Sequence, residues 1–178
     1  MYSYITGKIS KFKEKYHSLR TKPDYYIFSA LCVEAHFYKN PENVISEGDF
    51  EEIIVDGCND GGADIILNDP DSENCDLIIG QSKFHKKISK DEIFDSFHKM
   101  VRFYNEMKSD ITSNLIPMYK VVFLRWMPIL VKNQKFILFS TRVHYHREIS
   151  IQRALKGKFL TSFQIQIRLK FLFFSPQT

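Results

Sequence analysis

The chain has 178 residues, 44% of them hydrophobic and 26% charged, with seven Gly and six Pro, which allows one domain with a real hydrophobic core and excludes disordered, collagen-like and low-complexity classes. Three cysteines without CxxC spacing (Cys32, Cys58, Cys75) argue against a disulfide framework or a structural zinc site. The most apolar window, 121–131, is too short to span a bilayer and carries Arg125. The net charge of +4 is segregated: 41–80 hold twelve Asp/Glu and no Lys/Arg, whereas 115–178 hold eleven Lys/Arg and one Glu. That pattern reads either as two solvated blocks that attract each other or as an acidic cation site within a basic, polyanion-binding surface.

Residues 3–19 place Ile5, Ile9, Phe12, Tyr16 and Leu19 at helical spacing, with Lys8, Lys11, Lys13 and Lys15 elsewhere around the cylinder. This predicts a basic amphipathic helix within 1–22 that docks on the domain. Pro23 and Asp24 open a second helix to about Tyr38, whose inward stripe Ile27, Ala30, Leu31 runs on to Glu34. A carboxylate continuing an apolar stripe is costly unless it is paired or ligates something. Three short β-rich runs follow, 51–57, 63–68 and 76–84, the last two joined by the turn DPDSEN. Ser89 and Glu92 then form a capping box with Ile88 and Ile93 as its hydrophobic staple, opening a helix that keeps its apolar period to about Lys108. After an ambiguous stretch at 115–131, a buried strand is expected at 135–141, a short helix at 148–157 and a last strand at 162–174.

The expected fold class is therefore α/β. A mixed sheet is covered by helices in the order α-β-β-β-α-β, with an N-terminal helix before it and a basic helix-strand extension, 142–178, after it.

The residues that point to chemistry sit at one end of the second and third runs: Asp60-Gly61-Gly62-Ala63-Asp64 and Gln81-Ser82-Lys83. If those runs form a hairpin turning at 69–75, residues whose numbers sum to about 145 to 147 face each other, and Asp64 meets the 81–83 stretch. Strand alternation puts Gln81 and Lys83 on one face and Ser82 on the other. Asp64 and Gln81 offer two oxygens to a hard cation, and the Ser82 carbonyl a third. Lys83 stands ready to hold or help deprotonate an attacking water and to offset charge at phosphorus.

The run DGCNDGGADIILNDPDSENCDLIIGQSKF resembles motifs II and III of the PD-(D/E)XK nuclease superfamily in its QxK variant. It is more specifically similar to the N-terminal domain of abortive-infection phage-resistance (AIPR) proteins, and more distantly to Mrr-type restriction endonucleases. The resemblance covers about 24–141 and implies a restriction-endonuclease-like core over 23–141. It implies Asp64 as the central metal ligand, Gln81 in the second acidic position, Lys83 as the catalytic lysine and Glu34 as an auxiliary acid. Mg²⁺ or Mn²⁺ is the expected cofactor, held by Asp64, Gln81, Ser82 and Glu34. Asp60 is expected to shape the turn.

The function expected is that of a cytoplasmic, metal-dependent endonuclease acting on DNA or RNA in phage defence, with no membrane partner. Lys86, Lys87 and Lys90, just past the catalytic strand, are expected to contact the nucleic-acid backbone. The neutral Gln81 supports an alternative: a catalytically silent nuclease-fold module that binds nucleic acid or a protein. The apolar end FQIQIRLKFLFF calls for a partner strand or surface, from a second copy or a further C-terminal domain. His144 and His146 read as a surface pair, His85 as solvated, and Trp126 with Phe123 and Arg125 as core packing.

Overall fold

Ile5, Ile9, Phe12 and Tyr16 recur every three or four residues, and burying that stripe sets Tyr2–Lys15 as helix α1 and seats it on the domain. The computed structural model describes residues 2–39, 44–55, 61–72, 76–84, 88–108, 134–140 and 165–171. A 3-10 turn, His17–Leu19, carries the chain to α2 (Asp24–Phe37), which is buried at nearly every position from Tyr26 to Val33. Lys13 of α1 pairs with Asp24 at 2.8 Å, fixing where α2 starts relative to α1.

The first expected strand, 51–57, is not a strand over its described residues, 51–55. Helix α3 (Glu47–Ile53) occupies its first half because Ser46 and Asp49 form a full capping box that sequence inspection missed. Phe50 and Ile53 then bury at helical spacing, and Glu47 accepts the backbone N–H groups of His17 and Ser18. Only Ile54 keeps a β character, as an isolated antiparallel bridge to Ile65, and Val55 N–H donates to the Asp64 carbonyl at 3.0 Å.

Four strands form one mixed sheet in the order β1-β2-β3-β4: β1 (Ile65–Asn68), β2 (Leu77–Lys83), β3 (Gln134–Ser140) and β4 (Ile165–Phe171). β1 and β2 are antiparallel with Ile65 opposite Gly80, numbers summing to 145, within the expected register. β2, β3 and β4 are parallel, with Leu77 opposite Gln134 and Lys83 opposite Ser140. Ile65, Leu67, Ile78, Ile137 and Phe139 face a core shared with α1, α2 and α3. The other face is covered by α4 (Lys90–Lys108), whose Tyr104 ring meets Phe136 edge-on at 6.1 Å. The capping box that opens α4 forms as expected: Glu92 N–H donates to Ser89 Oγ and Ser89 N–H to the Glu92 carboxylate. The protein is thus mixed α/β. The expected helix at 148–157 and the ambiguous 115–131 stretch lie outside the described residues, and no helix among those described is long and apolar enough to cross a membrane.

At the turn end of the hairpin, Lys135 of β3 places its ammonium 2.8 Å from Asp69 and 2.6 Å from Asp76, all three largely buried. Burial alone pulls the Lys135 pKa down, but the bonds from the two carboxylates outweigh it and leave the pKa above its ordinary 10.5. Replacing Lys135 by Met would leave two carboxylates together in a poorly solvated site. Urea unfolding of Lys135→Met is therefore expected to show a loss of about 3–5 kcal/mol, and most of it should return when Asp69→Asn and Asp76→Asn are added. Equal stability of the single variant and wild type would show that the clamp is not structural.

Candidate active site

Gly61 and Gly62 bend the chain into β1 with φ of 66° and 91°, a left-handed conformation that L side chains rarely adopt. A Cβ on Gly62 would stand 2.5 Å from Lys99 Cβ of α4, so the turn presses directly on that helix. Two residues later the buried Asp64 reaches the C-terminal end of β2. Its N–H donates to the Gly80 carbonyl at 2.9 Å, and its Oδ2 accepts the Ser82 N–H at 2.7 Å. Within a strand the N–H and C=O of one residue point to the same side, so the Ser82 carbonyl is also directed toward Asp64.

Ser82 and Gln81 point to opposite faces. The Ser29 hydroxyl lies 3.2 Å from the Tyr25 carbonyl and shares a 2.6 Å hydrogen bond with the Ser82 hydroxyl. Ser82 thereby ties the strand end to α2. Cys32 lies on the same side; burial, and after it the nearby Asp64 charge, push its thiol well above 9.0, so it is held as the neutral thiol.

Gln81, 4% exposed, lies on the α4 face, and its Oε1 is fully buried with no hydrogen-bond partner among the described residues. Asn68 Oδ1 shares that condition, at the far end of the hairpin. Leaving such an oxygen unsatisfied costs about 1–3 kcal/mol. Lys83, half-buried, shares the Gln81 face, and its charge is felt by Asp95 on α4.

Glu34 does not join this group. It follows Ser29 by five residues and Cys32 by two, which at 3.6 residues per turn turns it to the opposite side of α2. There its Oε1 accepts bonds from Lys15 Nζ at the end of α1 and from Tyr16 Oη just past it, each at 2.5 Å. The expected meeting of Glu34 with Asp64 and Lys83 is therefore replaced by an α1–α2 tie, because Lys15 and Tyr16 offer two donors where the stripe alone suggested none. Asp60, His85, Lys86 and Lys87 lie outside the described residues, as do His144, His146 and the Phe123–Trp126 stretch, and Lys90 opens α4.

The residues present fit a divalent cation sparingly. Asp64 gives one carboxylate, Gln81 an orphaned amide oxygen and Ser82 a carbonyl, a set suited to an ion that keeps several of its waters. No group of three or more His, Cys, Asp or Glu gathers anywhere among the described residues. Compared with known proteins, the chain matches no family model, no curated protein and no solved structure.

The Glu34 tie has a pH signature. Lys15 is raised above 10.5, first by its bond to Glu34, and Tyr16 above 10.0, first by burial and then by the same carboxylate. Groups raised on folding contribute fully below their unfolded values and lose that contribution as pH climbs through the folded ones. Glu34→Gln is therefore expected to cost about 1 kcal/mol at pH 7, with the gap to wild type closing above about pH 10 and Mn²⁺ titrations unchanged. A Glu34→Gln variant that loses Mn²⁺ binding while keeping its stability would return Glu34 to the site.

Proposed function

We propose that this chain is a metal-dependent nuclease of the restriction-endonuclease-like kind, hydrolysing phosphodiester bonds of DNA or RNA, with phage defence as the setting its sequence resemblance implies. The observation that carries the reading is the buried Gln81 Oε1, unsatisfied among the described residues, on the strand where the next residue, Ser82, holds the Asp64 carboxylate and Lys83 follows. A buried amide oxygen without a donor is a ready ligand for a hard cation, and a carboxylate held by the neighbouring residue would supply the negative charge such an ion needs. Asp64, Gln81 and the Ser82 carbonyl would hold Mg²⁺ or Mn²⁺. Such an ion, when bound, supplies Lewis acidity toward a phosphate oxygen and makes a water more acidic.

The chain's own residues do the rest. The Ser82 N–H fixes the Asp64 carboxylate in one orientation, so no reorientation is needed when substrate enters. The Ser82–Ser29 bond anchors the strand that carries Gln81 and Lys83. The Lys83 ammonium would neutralise charge that develops at phosphorus and orient the attacking water.

Cleavage of plasmid, single-stranded DNA and RNA with Mg²⁺ or Mn²⁺ tests the reading. Asp64→Asn is expected to abolish cleavage with the fold intact, and Lys83→Ala to slow it by about 10²–10³. Gln81→Glu adds a carboxylate and should tighten Mn²⁺ binding by calorimetry. Undiminished, metal-dependent cleavage by Asp64→Asn would overturn the assignment. The scarcity of carboxylates favours one other reading, a silent nuclease-fold module; it predicts no Mg²⁺ or Mn²⁺ binding by the wild type at all.

A further inference from the structure

Lys86 and Lys87, expected on the substrate backbone, lie outside the described residues. Helix α4 opens soon after β2. Its late residue Tyr104 meets Phe136 near the start of β3 and its early residue Asp95 feels Lys83 at the end of β2, so it runs antiparallel to both strands. The Tyr104–Phe136 contact sets the level between helix and sheet. Nine residues back along α4 from Tyr104 is about 13 Å, and four residues forward along β3 from Phe136 is about 13 Å. Asp95 therefore stands level with Ser140 and with Lys83, its register partner.

Lys99 lies one turn further on, with its Cβ against the Gly62 position, two residues before Asp64. Its ammonium is drawn back to Asp95 at 2.7 Å, the favourable acid-then-base order at i, i+4. The Asp95 carboxyl is held below the usual carboxylate range, first by the Lys99 bond and also by the charges of Lys99, Lys83 and His98. Lys99 is thus held to an exposed carboxylate on the part of α4 that packs against the Gly62 turn, and the Lys83 charge reaches the same carboxylate.

We infer that Lys99 binds a phosphate of the nucleic-acid backbone next to the bond being cut, with Asp95 holding its ammonium there until substrate arrives. This rests on the nuclease reading and adds to it a substrate-binding residue on α4. A phosphodiester anion takes the place that Asp95 holds beside the Lys99 ammonium in the free protein. The exposure of Asp95 and Lys99, both roughly half open to solvent, makes that exchange inexpensive.

The test is fluorescence anisotropy of the full chain with labelled 20-nucleotide single-stranded DNA and RNA of one sequence, in Ca²⁺, across 50–200 mM salt. Lys99→Gln is expected to bind about five- to tenfold more weakly and to flatten the log–log salt slope by about 0.7. Lys99→Arg should restore both, and Lys11→Gln, an equal charge loss on α1 across the sheet, should change neither. Thermal melts confirm that each variant is folded. Wild-type binding by Lys99→Gln, or an equal loss from Lys11→Gln, would overturn the inference. A parallel cleavage assay separates the two claims. If Lys99→Gln binds like the wild type while the wild type cleaves and Asp64→Asn does not, the nuclease reading stands and the Lys99 role falls. If the wild type neither binds the oligonucleotides nor cleaves, both fall.

Discussion

The lysine clamp at the turn end of the hairpin governs the geometry at the opposite end of the sheet. β3 enters the sheet far along the chain from β2, and nothing local tells it which residue to pair with. Lys135 settles this by reaching both Asp69 and Asp76, which flank the hairpin turn. With that contact made, Gln134 lies opposite Leu77, and every later pair follows, ending with Leu138 beside Gln81 and Ser140 beside Lys83. A slip of one residue would carry Phe136 and Leu138 from the α4 side to the α2 side. The surroundings of Gln81 and Lys83 are thus decided by a salt bridge some five residues away along the strands.

The same logic explains why α4 matters to the site. The crossover has to return the chain from the C-terminal end of β2 to the N-terminal end of β3, so its opening turns cannot avoid the neighbourhood of Lys83. The Gly61–Gly62 turn comes close enough to α4 that even a methyl group at 62 has no room. Asp64 is thereby enclosed between a backbone turn, a strand end and a helix, and its carboxylate is oriented by a main-chain donor rather than by a mobile side chain.

Much of this was legible in the sequence where the determining interaction is local. The Ser89–Glu92 box, the stripe of α1 and the hairpin register each depend on residues within one element or one turn. The errors have equally specific causes. Ile53, Ile54 and Val55 look like a strand, but the Ser46–Asp49 box starts a helix before them and their β propensity has to yield. The place of Glu34 is not legible in the sequence because α2 is buried almost all round. An apolar stripe has direction only when the opposite face is polar, and α2 has none over Tyr26–Val33 that distinguishes the α1 side from the sheet side. Asp95 and Lys99 went unread because their relation to Lys83 arises from the level at which α4 lies on the sheet, a tertiary quantity.

The contrast between the two ways β2 is paired also bears on the order in which the protein assembles. Joining β1 to β2 closes a loop of eight residues, whereas joining β2 to β3 closes one of fifty. The longer closure carries roughly 1.6 kcal/mol more chain entropy if both behave as flexible loops. Asp64, Gly80 and Ser82 can therefore be brought together by a hairpin that needs neither α4 nor β3, while Lys135 joins Asp69 and Asp76 only when the crossover is complete. During synthesis from the N-terminus, the acid-bearing half of the site emerges and can pair before the strand that fixes its surroundings has left the ribosome.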